Sequence, residues 1–241
     1  MVPFVAGNWK MHKGAAEARG FCGELREGLK QLEGVRAAVC PPYTALREAV
    51  DARLATFAQS VHWASEGAFT GEISAAMLRE LGVRGSIVGH SERRHYFGES
   101  DEMTARRAAA ALAGGLEVIA CVGETEAERE AGETEAVLRR QVGALEEILG
   151  EPVEALVIAY EPVWAIGTGK TATPTQAQEA HAFIKSLYEV THVLYGGSVK
   201  PENAGDLLAQ PDVDGALVGG ASLEVESFLA ICQAAARAAS G

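Results

Sequence analysis

Six short clusters in this 241-residue chain bring together side chains and backbone able to do chemistry. Asn8-Trp9-Lys10, His90-Ser91-Glu92-Arg93-Arg94, Gly123-Glu124 and Glu161-Pro162-Val163-Trp164 each follow a short apolar run, as do Gly196-Gly197-Ser198 and Gly219-Gly220-Ala221-Ser222. They offer a carboxylate, an imidazole, an ammonium, a carboxamide and two glycine-rich turns. The turns are the most direct signal. Glycine lets backbone N–H groups approach an oxyanion closely, and a short helix starting behind each turn adds its dipole. One such turn could equally be a tight connection, but two on adjacent strands favour a phosphate site.

Segment 162–170 (PVWAIGTGK) is too long for a minimal connection between a strand and a helix. A proline stands at one end, glycines near the other, and Val163, Trp164 and Ile166 lie between. Such a loop can swing as a lid, burying its apolar tip over a ligand and excluding water.

These clusters need a scaffold that gathers them, and the rest of the chain describes one. Eight apolar runs read as strands: 4–7, 37–40, 56–59, 86–89, 118–122, 156–160, 193–195 and 215–218. Helical stretches lie between them, among them 15–31, 101–113, 135–149, 175–188 and 223–238. One strand–helix unit takes about 30 residues, so eight fill the chain. The runs are continuous rather than alternating, as in a parallel sheet covered by helices. Thr173, Pro174 and Gln176 spell a capping box with proline in the first turn. The reading is an α/β protein folded as one (β/α)8 barrel over residues 1–241, with an open doubly wound sheet as the alternative. In a barrel the polar clusters, all at the C-terminal ends of strands, converge on one pocket.

Composition narrows the classes. The formal net charge is −12 with no basic stretch, which argues against nucleic-acid partners. No apolar run approaches the roughly 20 residues of a membrane span, and the first residues do not read as a signal peptide. Cys22, Cys40, Cys121 and Cys232 are widely spaced, as expected of reduced thiols in a cytoplasmic protein. The histidines show no metal-ligand spacing, so no metal is expected. The 124–135 charge run reads as the solvated start of a helix. Gly167-Thr168-Gly169-Lys170-Thr171 is not a P-loop, because Trp164 stands where the first glycine belongs, and Ser91 lacks the closing glycine of a serine-hydrolase elbow.

Seven segments also resemble signatures of the triosephosphate isomerase family, in that family's order: NWK (8–10), GAFTGEIS (67–74), GHSERR (89–94), CVGE (121–124), YEPVWAIGTGK (160–170), YGGSV (195–199) and LVGGASL (217–223). The resemblance implies a homodimer that interconverts dihydroxyacetone phosphate and glyceraldehyde 3-phosphate with no cofactor. The family's carboxylate base, neutral imidazole and closing loop carry over to matching positions. Glu161 would be the base and His90 the neutral acid placed between the two substrate oxygens. Lys10 would supply fixed positive charge and Asn8 a further donor. Gly167, Ser198, Gly219 and Gly220 would hold the phosphate through backbone N–H groups. Ser91, Glu92 and Cys121 would support the reacting groups, and Thr70 would reach into the neighbouring subunit's pocket.

Departures from the family pattern are few. Arg107 stands where a Lys is usual, as the expected partner of Glu92, and His12 replaces an Asn. The join between the sixth helix and the seventh strand is shorter than usual. Another phosphosugar-handling barrel such as an epimerase, or a silent binding barrel, are the alternatives. The first would not carry both HSERR and YEPVWAIGTGK, and the second would lack Lys10, His90 or Glu161.

Overall fold

In the computed structural model, residues 1–150, 153–166, 171–190 and 192–239 are described. Among them are eight strands: β1 (Phe4–Asn8), β2 (Arg36–Cys40), β3 (Phe57–Ala58), β4 (Gly85–Val88), β5 (Glu117–Val122), β6 (Leu156–Tyr160), β7 (Val193–Tyr195) and β8 (Gly215–Val218). The helices are α1 (Ala15–Leu29), α2 (Leu46–Asp51), α3 (Ala75–Leu81), α4 (Ser91–Phe97), α5 (Asp101–Ala113), α6 (Glu126–Glu130), α7 (Thr134–Leu149), α8 (Pro174–Leu187), α9 (Pro201–Leu208) and α10 (Val225–Ala238).

All pairings are parallel and run in the order β2-β1-β8-β7-β6-β5-β4-β3. The two ends of that order meet through a parallel bridge between Val39 and Thr56, so the sheet curls into a (β/α)8 barrel. β3 is only two residues long, shorter than the 56–59 run suggests, because its β2-facing edge pairs at that single bridge.

Two apolar layers hold the barrel. Inside it, Phe4, Ala38, Phe57, Ile87, Ile119, Val157, Leu194 and Leu217 fill the lumen. Outside it, alternate strand residues such as Val5, Val39, Val88, Val118 and Ile158 meet the helices at Leu25, Leu138, Leu145, Ile184 and Phe228. Strands buried on both faces have no reason to alternate, hence their continuous apolar runs. At about 25 cal/mol per Å², each fully buried Leu or Phe contributes on the order of 2 kcal/mol.

Local signals act where expected. Thr173 accepts from the Gln176 amide at 3.2 Å while the Gln176 side chain accepts from the Thr173 amide at 2.9 Å. α8 ends at Leu187, one residue before the anticipated end, and Tyr188 is already extended. The 124–135 run breaks into two helices. Thr125 and Glu128 form a capping box that starts α6, which leaves Glu124 outside the helix and fully buried. The expectation of a solvated run fails at that residue.

Candidate active site

A cavity of about 270 Å³ opens at the C-terminal end of the barrel, lined by residues from β1, β4, β6, β7, β8 and the turns after them. Asn8, Lys10, His90, Glu161, Ser198, Gly219 and Gly220 all line it. Five of the six sequence clusters therefore meet, and Gly123-Glu124 does not line the cavity. Gly167 lies outside the described residues, as do the other three at 168–170.

Glu161 follows β6 directly and is 2% exposed. Its backbone N–H donates to Val122 at 2.7 Å, tying it to the end of β5. Its carboxylate accepts from the Ser91 N–H at 2.8 Å and the Ser91 hydroxyl at 3.3 Å. His90 Nε2 lies 3.0 Å from the same carboxylate. Burial pushes the Glu161 pKa up, but His90, the Ser91 amide and Lys10 together pull it below the ordinary carboxylate value. Gly196 leaves room for this side chain, since a Cβ there would come within 2.9 Å of Glu161 Cγ.

His90 caps α4. Its Nδ1 accepts the Glu92 N–H at 3.2 Å, so the ring proton sits on Nε2, facing Glu161. Burial and Lys10 disfavour the imidazolium. The Glu161 carboxylate, with a lesser push from Glu92, outweighs them and raises the His90 pKa. That elevation depends on Glu161 staying against the ring. Without that carboxylate, burial and Lys10 disfavour the imidazolium and Glu92 is left to favour it.

Lys10 sits at φ +52°, in the left-handed region that costs a side-chain-bearing residue about 1–2 kcal/mol. Two amide side chains hold it there: Asn8 Oδ1 accepts the Lys10 N–H at 3.0 Å, and Gln59 Nε2 donates to the Lys10 carbonyl at 2.8 Å. The twist aims its ammonium at Glu92, 2.5 Å away. A Cβ on Gly219 would be 3.5 Å from Lys10 Cε, so the lysine stem runs beside the glycine turn. Gly220 opens a single 3-10 turn, Gly220–Leu223, behind that glycine pair.

Cys121 is fully buried beside Glu161, and burial together with that carboxylate pushes its thiol well up, keeping it protonated. Thr70 does not line the cavity and lies on the exposed 65–72 stretch of the loop after β3. Arg107 does not pair with Glu92. Its guanidinium donates to the Val61 carbonyl at 2.5 Å and faces Glu99 at 3.4 Å and Glu72 at 3.5 Å. Glu92 takes Lys10 instead, because α5 carries Arg107 toward the start of the loop after β3.

The stretch after β6 rests on a residue that the sequence placed in the Gly123-Glu124 cluster and in a charge run without giving it a role. Glu124 accepts from Tyr160 Oη at 3.1 Å, Trp164 Nε1 at 2.9 Å and Arg129 at 3.0 Å, and Arg129 stacks on the Trp164 ring. The capping box beginning at Thr125 was the available signal that Glu124 lies outside the helix. Gln141 was also missed; it bonds the Gly123 N–H at 2.7 Å, and a long-range amide has no sequence signature.

Among the described residues no three His, Cys, Asp or Glu side chains are grouped to hold a metal ion, and no helix is long and apolar enough to cross a membrane. The fold and the cavity define a (β/α)8-barrel enzyme whose carboxylate, imidazole and ammonium stand beside two glycine-rich turns. A model of the triosephosphate isomerase family matches residues 3–235. The triosephosphate isomerase of Carboxydothermus hydrogenoformans is 55% identical over 95% of this chain and 97% of its own length. Those of Chloroflexus aurantiacus and Geobacter metallireducens are each 50% identical, over 95% of this chain and 98% and 97% of theirs. The chain belongs to the triosephosphate isomerase family.

Proposed function

We propose that this chain, acting as one barrel domain, interconverts dihydroxyacetone phosphate and D-glyceraldehyde 3-phosphate through an enediolate, the step shared by glycolysis and gluconeogenesis. The observation that carries the reading is the convergence of Glu161, His90 and Lys10 on a cavity edged by Ser198, Gly219 and Gly220.

Glu161 takes a proton from the carbon beside the carbonyl and returns it to the neighbouring carbon. Desolvation as the 162–170 segment closes makes it a stronger base than a carboxylate in water. His90, neutral once Glu161 has turned away, donates its Nε2 proton to one substrate oxygen and exchanges protons between the two. Lys10 stabilises the enediolate charge and the phosphate together, with Asn8 as a further donor. The N–H groups of Gly167, Ser198, Gly219 and Gly220 take the phosphate oxygens. Ser91 parks the base between turnovers, Glu92 neutralises Lys10 until substrate arrives, and the protonated Cys121 backs Glu161. A closed segment over residues 162–170 also protects the enediolate from losing phosphate.

The active species is a homodimer acting in the cytoplasm. In support, Met11, Tyr96, Phe97 and Phe69 are respectively 94%, 71%, 68% and 45% exposed on loops and α4 near the cavity side. Thr70 belongs to the same exposed stretch as Phe69, suited to reach a neighbouring pocket. The test is to supply glyceraldehyde 3-phosphate to purified protein without added metal and couple the ketose product to a reductase. Ketose formation is expected, and its absence would refute the reading.

A further inference from the structure

We propose that Arg94 is a positioning residue for the Glu161–His90 pair, clamping the turn that carries His90 to β5, the strand that ties down the Glu161 backbone. This inference rests on the proton-transfer reading above. The Arg94 guanidinium serves three acceptors. Its Nε donates to the Gly89 carbonyl at 2.8 Å, its Nη2 to the Cys121 carbonyl at 3.3 Å, and its Nη1 to Asp101 Oδ1 at 2.5 Å. Gly89 immediately precedes His90, and Cys121 stands in β5 beside Glu161. One planar cation therefore bridges the backbone that carries the imidazole and β5, the strand to whose end, at Val122, the Glu161 N–H is bonded.

The turn at Gly89 leaves little slack for any other arrangement. Gly89 has φ +65°, and a Cβ there would meet Thr104 Cγ2 at 2.4 Å and Arg94 Nη2 at 3.1 Å. The guanidinium and Thr104 thus pack directly beneath the residue that aims His90. A guanidinium presents its donors in a fixed fork, so three acceptors in three directions determine its position. A lysine ammonium on a flexible stem cannot serve all three.

Asp101 holds the clamp from the other side. It lies in the first turn of α5, where the helix dipole favours a carboxylate, and its side chain is 22% exposed. Its second oxygen accepts from Arg140 Nε on α7 at 3.0 Å, and Arg140 lies 3.7 Å from Glu128 on α6. The chain of charges ends at the residue next to Arg129, which pairs with Glu124 beneath Trp164. Arg94 accordingly ties the His90 turn to the same surface that seats the base of the 162–170 segment.

The experiment compares full-length parent, Arg94→Lys, Asp101→Asn and, as a destabilised control, Arg36→Gln. Arg36 pairs with Glu117 at the opposite end of the barrel, far from the cavity. The readouts are kcat, KM, thermal midpoint and the 15N imidazole titration of His90. A misplacement of the order of 1 Å can cost about 100-fold, so Arg94→Lys is expected to lower kcat about tenfold or more while KM stays within about threefold. The His90 titration shifts with it. Asp101→Asn moves kcat and the titration in the same direction by less, and carries the test if Arg94→Lys does not fold. Arg36→Gln lowers the midpoint with kcat and the His90 titration unchanged.

A folded Arg94→Lys or Asp101→Asn protein with parental kcat and an unmoved His90 titration would overturn the proposal. So would an Arg36→Gln protein that loses as much kcat as Arg94→Lys at the same fall in thermal midpoint. If the parent itself does not isomerise glyceraldehyde 3-phosphate, the functional reading falls. The His90 titration then still reports whether Arg94 positions the ring.

Discussion

The Glu161 carboxylate hangs on Ser91, which offers it a backbone N–H at 2.8 Å and a hydroxyl at 3.3 Å. The amide bond belongs to the chain and survives any substitution except proline; the hydroxyl bond does not. Ser91→Ala should therefore cost about 1 kcal/mol of stability and change kcat by no more than about tenfold, because one neutral hydrogen bond is worth about that much. Urea unfolding together with a kinetic assay checks both halves.

The charge state of His90 should follow Glu161. With Glu161 replaced by Gln, the groups that raise the His90 pKa are reduced to Glu92, and burial and Lys10 prevail. The imidazole should then titrate below its ordinary value of about 6.5 instead of above it. A 15N-detected pH titration of parent and Glu161→Gln reads this directly. An unchanged His90 pKa would show that the carboxylate does not control the ring.

His181 gives the fold a pH dependence remote from the cavity. It is fully buried between Tyr160 and Tyr195, and burial pushes its pKa down to about 4. The folded state thus keeps it neutral where the unfolded chain, with a pKa near 6.5, binds a proton. Its contribution is at its full value above about pH 6.5 and is lost as pH falls to about 4, by about 3 kcal/mol in all. His181→Leu should flatten unfolding free energy against pH over that window. An unaltered slope would refute the assignment.

Activity should depend on subunit association. Thr70 lies on an exposed stretch and does not line its own chain's cavity. Dilution through the dissociation range should lower specific activity about tenfold or more, in step with the dimer fraction seen by sedimentation. A monomer as active as the dimer would contradict it.

Much of the architecture was legible because barrel strands, buried on both faces, write themselves as unbroken apolar runs ended by glycine or polar residues. The bounds of β6, β7 and β8 follow from those runs directly. β3 did not, since its length depends on a partner across the closure rather than on its own residues. Asn8, Lys10, His90 and Glu161 were legible because barrel topology sends every strand end to one place. The strained backbone of Lys10 was not, because Gln59 enforces it from 49 positions away. Glu124 and Arg107 misled for a related reason. Their sequence neighbourhoods are charged, but their partners, Tyr160, Trp164, Val61 and Glu99, come from other strands and loops.

Glu161→Gln tests the role of the base most directly. The amide keeps the size of the carboxylate and can still accept from Ser91, so far-UV and near-UV circular dichroism should match the parent. Removing a general base costs about 100- to 10,000-fold, and in the coupled assay with glyceraldehyde 3-phosphate kcat should fall within that range. A folded Glu161→Gln protein that turns over near the parental rate would contradict the assignment of Glu161 as the base.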